Sequence, residues 1–401
     1  MLNLLDNAYI FYRASKATLS QLIFRFCAMC WPIEKNKVVF CSTEGMGGYG
    51  DNPKAIAEYL HENYPHVKLV WLVNDINKEF PQYIRKVSNT ILNRAREYST
   101  AKIWVDSHRK PYGTYKRKGQ YYLQTWHGPI GFKPIGAKRG VHMPRIGEIV
   151  SRADSDMIDC FISNSAWCTN NVRESLYYSG PIEKMGSPRC DVLFHDRNLY
   201  KYKICEKYGI AHENKMLIYA PTFRGGSQSR NRVVEKEDLV VDFHNILNAL
   251  QKKTNDSWVV ILRMHPQAAD RLGDYAIGNQ DVKIVDASKY PDVYELLAAS
   301  DALLTDYSSL AFDAGYIGIP VFLYADNLTD IMEHRGGLLF DIRNLPFPFA
   351  DTEKQLCENI LSFNKGIYKR KLDIMNRNLE VLEDGKASQR AVQWIMERME
   401  K

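Results

Sequence analysis

The sequence lacks the long apolar run that a membrane-spanning helix requires. Its apolar N-terminal stretch, residues 19–31, is interrupted by polar and basic side chains and is shorter than the roughly 20 residues that cross a bilayer. Residues 31–33 offer no small-residue cleavage site, which disfavours a secretory signal peptide. These absences favour an amphipathic helical segment over residues 1–34 instead.

Several catalytic and cofactor motifs are missing as well. The chain has no G-x-x-x-x-G-K-[ST], HExxH or GxSxG sequence, which excludes P-loop, zincin and α/β-hydrolase chemistry. Glycines at 45, 47, 48 and 50 do not follow the spacing of a dinucleotide fingerprint. Because the eight cysteines form no pair of CxxC units and the acidic residues no two-metal cluster, the sequence predicts no metal site and no required cofactor.

The composition is that of a folded chain with a mild basic excess. Of 401 residues, 45% are hydrophobic and 12% aromatic, and the formal net charge is +6. This length suits two domains of about 150–200 residues each, and no period indicates a solenoid or propeller. Basic residues are concentrated at 108–118. That cluster has two interpretations, a patch that attracts phosphates or a solvated loop.

The N-terminal segment also has two interpretations. In the first, the helix lies in a membrane interface, with basic side chains at the headgroups and apolar ones in the lipid. The residues concerned are Arg13, Lys16 and Arg25, and Leu22, Phe26, Met29 and Trp31. In the second, the helix packs on the core of its own protein.

Short β-branched and aromatic runs alternate with helical patterns along the chain. They stop at a polar connector, 196–214, and restart at Met216. Alternation of this kind implies parallel sheets covered by helices. We therefore predict an α/β fold with two Rossmann-like doubly wound domains, at 35–200 and 201–370, and a C-terminal bracing helix at 371–401. Since ligands of such sheets bind beyond the carboxyl ends of the strands, we expect the site in a cleft between the domains.

One predicted strand end carries a candidate base. In Gln124-Thr125-Trp126-His127-Gly128 a strand is followed by a sharp turn, which presents the imidazole at the carboxyl end. Histidine there can accept a proton near neutral pH. The alternative is a histidine that is hydrogen-bonded within its turn.

Two more strand ends carry residues suited to phosphate. In Arg263-Met264-His265-Pro266 the period of two places the Arg and the His on the same side, where they can contact two phosphate oxygens. A structural pair between the Arg and a carboxylate is the alternative. The segment 219–226 supplies the hydroxyl of Thr222 and the guanidinium of Arg224 before a flexible turn.

The segment 303–313 predicts an anion site. An apolar strand ends at Asp306, and Tyr307, Ser308 and Ser309 follow, with the two serines opening a helix. Free backbone N–H groups and hydroxyls therefore converge beyond the strand end.

Two loops complete the candidate site. Gly186-Ser187-Pro188-Arg189-Cys190-Asp191 closes the first predicted domain and places Arg189 near a hinge. The glycine-rich loop 42–52 follows the first strand and is interpreted as a flexible acceptor-binding loop, with Gly47, Gly48, Asp51 and Asn52 as its candidate residues.

Taken together, these motifs resemble the CDP-glycerol glycerophosphotransferase family of bacterial teichoic acid and capsule synthesis. The strings at 124–128, 186–191, 219–224, 263–266 and 304–309 match in order and spacing over roughly 37–345. One departure is Cys190, where the family pattern has a polar residue such as Asn.

The resemblance implies a GT-B architecture and an activity. The reaction would transfer a polyol phosphate from CDP-glycerol or CDP-ribitol to a hydroxyl of an undecaprenyl-linked saccharide or growing polymer, with release of CMP. The protein would be peripheral at the cytoplasmic face of the membrane, on an anionic surface, with no nucleic-acid partner. The sequence gives no signal for an oligomeric state.

The resemblance also implies residue roles. His127 would be the general base, and His265 a donor-phosphate ligand or acid. Donor contacts are expected from Gly128, Arg189, Thr222, Arg224, Arg263, Asp306, Tyr307, Ser308 and Ser309.

Three other functions stay open. A ribitol-phosphate transferase would share every motif, and a GT-B glycosyltransferase with a nucleotide-sugar donor would share the fold and the phosphate site. A non-catalytic protein that binds anionic lipid or polymer would explain the basic residues without needing both histidines at strand ends. The chain length favours a primase or compact transferase over a long polymerase.

Overall fold

The computed structural model describes residues 2–222, 241–264, 282–328 and 337–401, with side chains from residue 6 onward. The chain divides into two compact units. The first contains the residues up to Pro129, Ile135–Asp191 and Glu380–Lys401, and the second contains Ile130–Pro134 and the described residues of Val192–Leu379.

The first unit is built on a seven-stranded parallel sheet in the order β3-β2-β1-β4-β5-β6-β7. Its strands are β1 (Glu34–Cys41), β2 (Lys68–Val73), β3 (Ile84–Ser88), β4 (Ala101–Asp106), β5 (Tyr121–Gln124), β6 (Cys160–Ser163) and β7 (Ile182–Lys184). The α-helices of this unit are Leu2–Cys30, Asp51–Asn63, Ile91–Thr100, Arg145–Ser155, Ala166–Ser175 and Ala387–Met399. Short 3₁₀ helices occupy Thr43–Gly45, Gly136–His142 and the start of Pro188–Phe194.

Helices cover both faces of this sheet, so its strands are apolar on both sides. Along β1, Val38 and Phe40 point to one core and Val39 and Cys41 to the other, as the period of two requires. The first core includes Trp394 of the C-terminal helix. That helix therefore packs on the first sheet.

The second unit repeats the design with a six-stranded parallel sheet in the order β10-β9-β8-β11-β12-β13. Its strands are β8 (Lys215–Tyr219), β9 (Trp258–Leu262), β10 (Ile284–Asp286), β11 (Ala302–Thr305), β12 (Val321–Tyr324) and β13 (Phe349–Ala350). Its described helices are Arg197–Tyr208, Phe243–Thr254, Val293–Ala299, Leu310–Tyr316, the 3₁₀ turn Ile342–Asn344, Glu353–Ser362 and Lys365–Asn378. The predicted domain limit at 370/371 falls inside the last of these helices.

Two doubly wound α/β units are thus observed, and the predicted fold class is confirmed. In each sheet the strand order reverses at one point, between β1 and β4 in the first and between β8 and β11 in the second. Ligands of doubly wound sheets bind at this switch point, beyond the carboxyl ends of the strands.

The N-terminal helix is packed on one face and exposed on the other. Phe24 is fully buried, and its carbonyl accepts a hydrogen bond from Ser99 Oγ at 3.2 Å. Gly113, with φ of +90°, lies so close that a Cβ there would be 2.5 Å from the carbonyl oxygen of Ala17. Packing on the protein's own core is therefore confirmed for this inward face.

The opposite face of the same helix carries the apolar residues that the sequence assigned to a lipid surface. Leu22, Phe26 and Met29 are 59%, 58% and 79% exposed, and Trp31, just beyond the helix, is 37% exposed. Within the described ranges, no helix has both the length and the apolarity to cross a membrane.

The basic cluster at 108–118 has a role that neither interpretation anticipated. Lys110 is buried, and its ammonium donates to Asp106 Oδ2 at 2.6 Å. Arg117 donates to the carbonyl of Ala28 near the end of the N-terminal helix at 2.8 Å. Arg109 and Lys116 are likewise paired, with Ser151 and Asp159. These cations hold the unit together, so the prediction of a phosphate-attracting patch is wrong for them.

Candidate active site

The switch point of the first sheet collects three chain segments. The loop after β1, the turn after β4 and the turn after β5 all leave the carboxyl edge of the sheet. They bring together His127, Asp51 and Asn52, three residues that the sequence singled out, and Arg189, from the segment after β7, joins them through hydrogen bonds to Asn52 and Asp51.

His127 is held by a backbone carbonyl. Its Nδ1 lies 2.8 Å from the carbonyl oxygen of Ser107. Because a carbonyl only accepts, Nδ1 carries the hydrogen, and in the neutral ring Nε2 is left with the lone pair. This is the tautomer that a general base at Nε2 requires.

The surroundings of His127 favour its neutral form. Burial is the largest cause that lowers the pKa of His127, and Arg189 and Arg109 lower it further, whereas the charge of Asp51 opposes them. A base that is already unprotonated near neutral pH can accept a proton without first losing one.

Trp126, directly before His127, has a strained backbone. Its φ is +51°, in the left-handed region that bulky residues rarely adopt. Trp126 N donates to Gln124 Oε1 at 2.9 Å, and Trp126 O accepts from Asn52 Nδ2 at 2.8 Å. These two side chains hold the turn that presents His127, and strain of this kind concentrates at functional sites.

Asn52, at the end of the loop after β1, connects the turn after β5 with the segment after β7. Only 1% of it is exposed. Its Nδ2 also donates to Thr125 O at 3.2 Å, and its Oδ1 accepts from the backbone N–H of Arg189 at 3.0 Å. Its amide is thus bonded to protein groups that hold the turn, and a contact of Asn52 with an acceptor stays a prediction.

The other residues of the predicted acceptor loop lie at the same edge. Asp51 has φ of +62° and its carboxylate lies 3.2 Å from Arg189 Nη1. A Cβ at Gly47 would lie 2.8 Å from Ser42 Oγ, so the tight turn explains this glycine. Gly48 follows it in the same loop, and Gly128 follows His127. Their contacts with substrate stay predictions.

A second histidine at this edge was not singled out by the sequence. His108 stacks on His127, with ring centroids 3.7 Å apart and planes within 9°. In the sequence it belongs only to the basic cluster at 108–118. The signal that could have found it is positional, because His108 follows the carboxyl end of β4, the neighbour of β5.

The switch point of the second sheet has different chemistry. Asp306 accepts from the backbone N–H of Thr222 through Oδ1 and from its hydroxyl through Oδ2, both at 2.8 Å. Lys133 donates to Thr222 Oγ1 at 3.2 Å and lies 5.9 Å from the ring centroid of Tyr307. A hydroxyl, a carboxylate and an ammonium therefore meet where β8 and β11 end.

The structure places the remaining donor-site candidates as follows. Ser308 Oγ accepts from the N–H of Leu310, and Ser309 is the N-cap residue of the helix Leu310–Tyr316. Arg263 donates to the carbonyl of Ser288, and burial lowers its pKa. Its bond within the fold favours the structural alternative for Arg263. Arg224 and His265 lie outside the described residues.

No metal centre is evident in the part of the chain that the structure describes. No group of three His, Cys, Asp or Glu residues in these ranges could hold a metal ion. Cys190, at the position where the family pattern has a polar residue, is fully buried.

Comparison with known families identifies the chain. The profile of the CDP-glycerol:poly(glycerophosphate) glycerophosphotransferase family matches residues 23–397. The chain belongs to this family. The resemblance inferred from the motifs is thereby confirmed.

Relatives of this glycerophosphotransferase-family chain act in teichoic acid synthesis. It is 30% identical over 378 residues to the teichoic acid glycerol-phosphate transferase of Staphylococcus aureus, covering 90% of this chain and 93% of that protein. It is 28% identical to the teichoic acid poly(glycerol phosphate) polymerase of Staphylococcus epidermidis, covering 88% of this chain but only 50% of the polymerase. The chain thus spans about half the length of that polymerase.

A solved structure shares the fold of this glycerophosphotransferase-family chain. The wall teichoic acid polymerase TagF, in a structure soaked with CDPG, matches with a TM-score of 0.81 at 26% identity. The match covers 100% of this chain and 98% of the solved one.

Proposed function

We propose that this protein transfers glycerol phosphate from CDP-glycerol to a hydroxyl of a lipid-linked saccharide or of a growing teichoic acid polymer, and releases CMP. The observation that carries the proposal is the anchored, neutral imidazole of His127 at the switch point of the first sheet. Membership of the glycerophosphotransferase family, and the glycerol-phosphate relatives, support the choice of donor.

His127 supplies the base for this reaction. The acceptor hydroxyl gives its proton to Nε2, and the acceptor oxygen attacks the phosphorus that bears glycerol. The bond from that phosphorus to the bridging oxygen of the pyrophosphate breaks, and CMP leaves with the electron pair. A new phosphodiester forms, and positioning together with base catalysis lowers the barrier.

The switch point of the second sheet is suited to the donor. The ammonium of Lys133, held beside Thr222 by a hydrogen bond to its hydroxyl, offers a cation and N–H donors to the pyrophosphate. Asp306 is bonded to both the N–H and the hydroxyl of Thr222. We assign Asp306 the role of orienting Thr222, because a buried carboxylate would repel phosphate if it faced it directly. Ser308 and Ser309 stay candidate hydroxyl contacts.

The outward face of the N-terminal helix is suited to a membrane surface. Leu22, Phe26 and Met29 form one exposed apolar stripe, and Lys16 and Arg25 are exposed beside it. An interfacial helix inserts such a stripe and places its cations at anionic headgroups. This face supports the proposal that the protein acts peripherally at the cytoplasmic face of the membrane, on an undecaprenyl-linked or polymeric acceptor.

The membrane contact can be tested by sedimentation with vesicles that contain phosphatidylglycerol. The double change Phe26→Ser and Met29→Ser should release the protein from the vesicle pellet. The matched control is Leu199→Ser, since Leu199 is 67% exposed in a helix of the second unit. Equal sedimentation of the two variants would refute the assignment.

The transfer itself is tested by CMP release with a lipid-linked disaccharide acceptor. CDP-glycerol, CDP-ribitol and a UDP-sugar are compared as donors, with UMP or UDP measured for the last. Acceptor-dependent CMP from CDP-glycerol supports the proposal. Turnover with CDP-ribitol alone would show that the donor is CDP-ribitol. Turnover with the UDP-sugar alone would show that the reaction is glycosyl transfer.

A further inference from the structure

The ring of His108 covers one face of the His127 ring. The centroid of its ring lies 3.7 Å from that of His127, with 9° between the planes. Trp126 completes the cluster at 4.7 Å from His127 and 6.1 Å from His108. The rings of His108, His127 and Trp126 thus form one stacked cluster at this edge of the sheet.

One ring nitrogen of His108 lies in the protein interior without a hydrogen bond. Nδ1 of His108 is buried and has no hydrogen-bond partner among the described residues. Buried polar atoms in native proteins usually have partners, and an exception calls for another explanation. The contact of this ring with its surroundings is instead the face-to-face stacking on His127.

The backbone of His108 is anchored independently of its ring. Its N–H donates to Asp106 Oδ1 at 2.9 Å, and its carbonyl accepts from Gln124 Nε2 at 3.0 Å. Side-chain substitutions at this position therefore leave the turn after β4 held at both ends. The ring can be altered without removing the support of the loop.

We propose that His108 is a positioning residue, whose ring shields one face of His127 and keeps Nδ1 of that base on Ser107 and Nε2 toward the acceptor. The role of the base itself rests on the proposed function. The shielding does not, since it is a property of the two rings.

The charges around the pair are consistent with this role. Burial, His127 and Arg109 lower the pKa of His108 to about 2, so it stays neutral and adds no charge beside the base. The charged groups that act on His127 are Asp51, Arg189 and Arg109. Changing the uncharged His108 leaves all three in place, and its effect reports shielding and orientation alone.

The decisive variant is His108→Ala. Opening one face of His127 to water weakens the burial that lowers the pKa of His127, so that pKa should rise toward its ordinary value. A base works above its pKa and loses activity as the pH falls through it, so the acid limb of kcat should move to higher pH. The loss of orientation should also reduce kcat by about 10- to 100-fold, with the KM for CDP-glycerol unchanged.

His108→Phe is the matched control, because it keeps an aromatic face and removes both nitrogens. This variant should retain the acid limb of the wild type and most of its kcat. If His108→Phe behaves like His108→Ala, stacking is not the function of this residue, and the proposal is overturned.

A second readout does not depend on transfer. NMR titration of protein labelled in its histidine rings follows the His127 resonance, which the variant His127→Asn assigns. In His108→Ala that resonance should titrate at higher pH than in the wild type and in His108→Phe. An unchanged titration would overturn the proposal even if the enzyme is active, whereas a shifted titration without CMP release would uphold it and refute the proposed function.

Discussion

The two sheets share the order of their first six strands, with one further strand in the first sheet, but they have different residues at their switch points. In the first unit, aromatic rings and a buried amide position one neutral imidazole, with Asn52 and Ser107 as its main supports. In the second unit, a carboxylate and an ammonium meet at the hydroxyl of Thr222. The comparison teaches that strand order fixes where a ligand binds, whereas the loop residues decide whether that place moves a proton or binds a phosphate.

The largest effect is expected at the first switch point. The variant His127→Asn should lower kcat by about 10²–10⁴-fold, because no general base then accepts the proton of the acceptor hydroxyl. CDP-glycerol affinity, measured by calorimetry, should stay near that of the wild type. The control His195→Asn changes an exposed histidine in the second unit and should be fully active. A near-normal kcat for His127→Asn would show that the first switch point does not supply the base, and the proposed division of roles between the two sheets would be wrong.

At the second switch point, Lys133→Met should weaken the donor contact instead. A charge-assisted hydrogen bond contributes about 1.5–3 kcal/mol, so kcat/KM for CDP-glycerol should fall about ten- to a hundredfold, mainly through KM. Lys138→Met is the matched control, because Lys138 forms a half-exposed ion pair with Glu174 at 2.6 Å. A loss confined to kcat would contradict the assignment of Lys133 to binding.

The support of the first switch point can be tested at Asn52. Asn52→Ala leaves the carbonyls of Thr125 and Trp126 and the N–H of Arg189 without this partner. Unfolding free energy should fall by about 1–3 kcal/mol, and kcat by about tenfold as the turn relaxes.

The control for Asn52 lies on the same helix. Asn63 is exposed, and its Nδ2 donates to the carbonyl of Tyr59, one turn earlier, at 2.9 Å. Asn63→Ala should therefore leave both the unfolding free energy and kcat near their wild-type values. Equal effects of the two substitutions would mean that Asn52 has no special role.

The smallest effect concerns pH. The pKa of His127 is lowered by burial and by its cationic neighbours, so its neutral form persists below the ordinary histidine value of about 6.5. The acid limb of kcat should therefore lie below pH 6.5, with activity present above it and lost as the pH falls through it. A limb at or above the ordinary value would show that His127 is more hydrated than its surroundings indicate.

The sequence predicted most of the sheet framework. Apolar and β-branched runs at 38–41, 68–73, 102–105, 121–124 and 160–163 predicted β1, β2, β4, β5 and β6 of the first sheet. Runs at 216–221, 258–262, 282–285, 302–305 and 320–324 predicted β8 to β12 of the second. Three edge strands were not anticipated, because β7 has three residues, β13 has two and β3 alternates charged with apolar side chains. Short or half-polar strands give little periodic signal.

The candidate site was predicted only in part. His127 was found because a glycine-marked turn follows its strand. His108 and Lys133 were missed, since their roles come from a ring contact and from a hydrogen bond to Thr222, 89 positions away. The phosphate-attracting patch was wrongly predicted for Lys110 because its burial against Asp106 depends on the folded structure and has no signal in the sequence.

The most direct test of the account is the mass of the acceptor after incubation with saturating CDP-glycerol, for wild type and His127→Asn. We predict that wild-type protein adds whole glycerol-phosphate units to the lipid-linked disaccharide and that His127→Asn, which still binds the donor, adds none over the same time. Addition at equal rates by both proteins would contradict the assignment of His127 as the base, and an unmodified acceptor with the wild type would contradict the transfer itself.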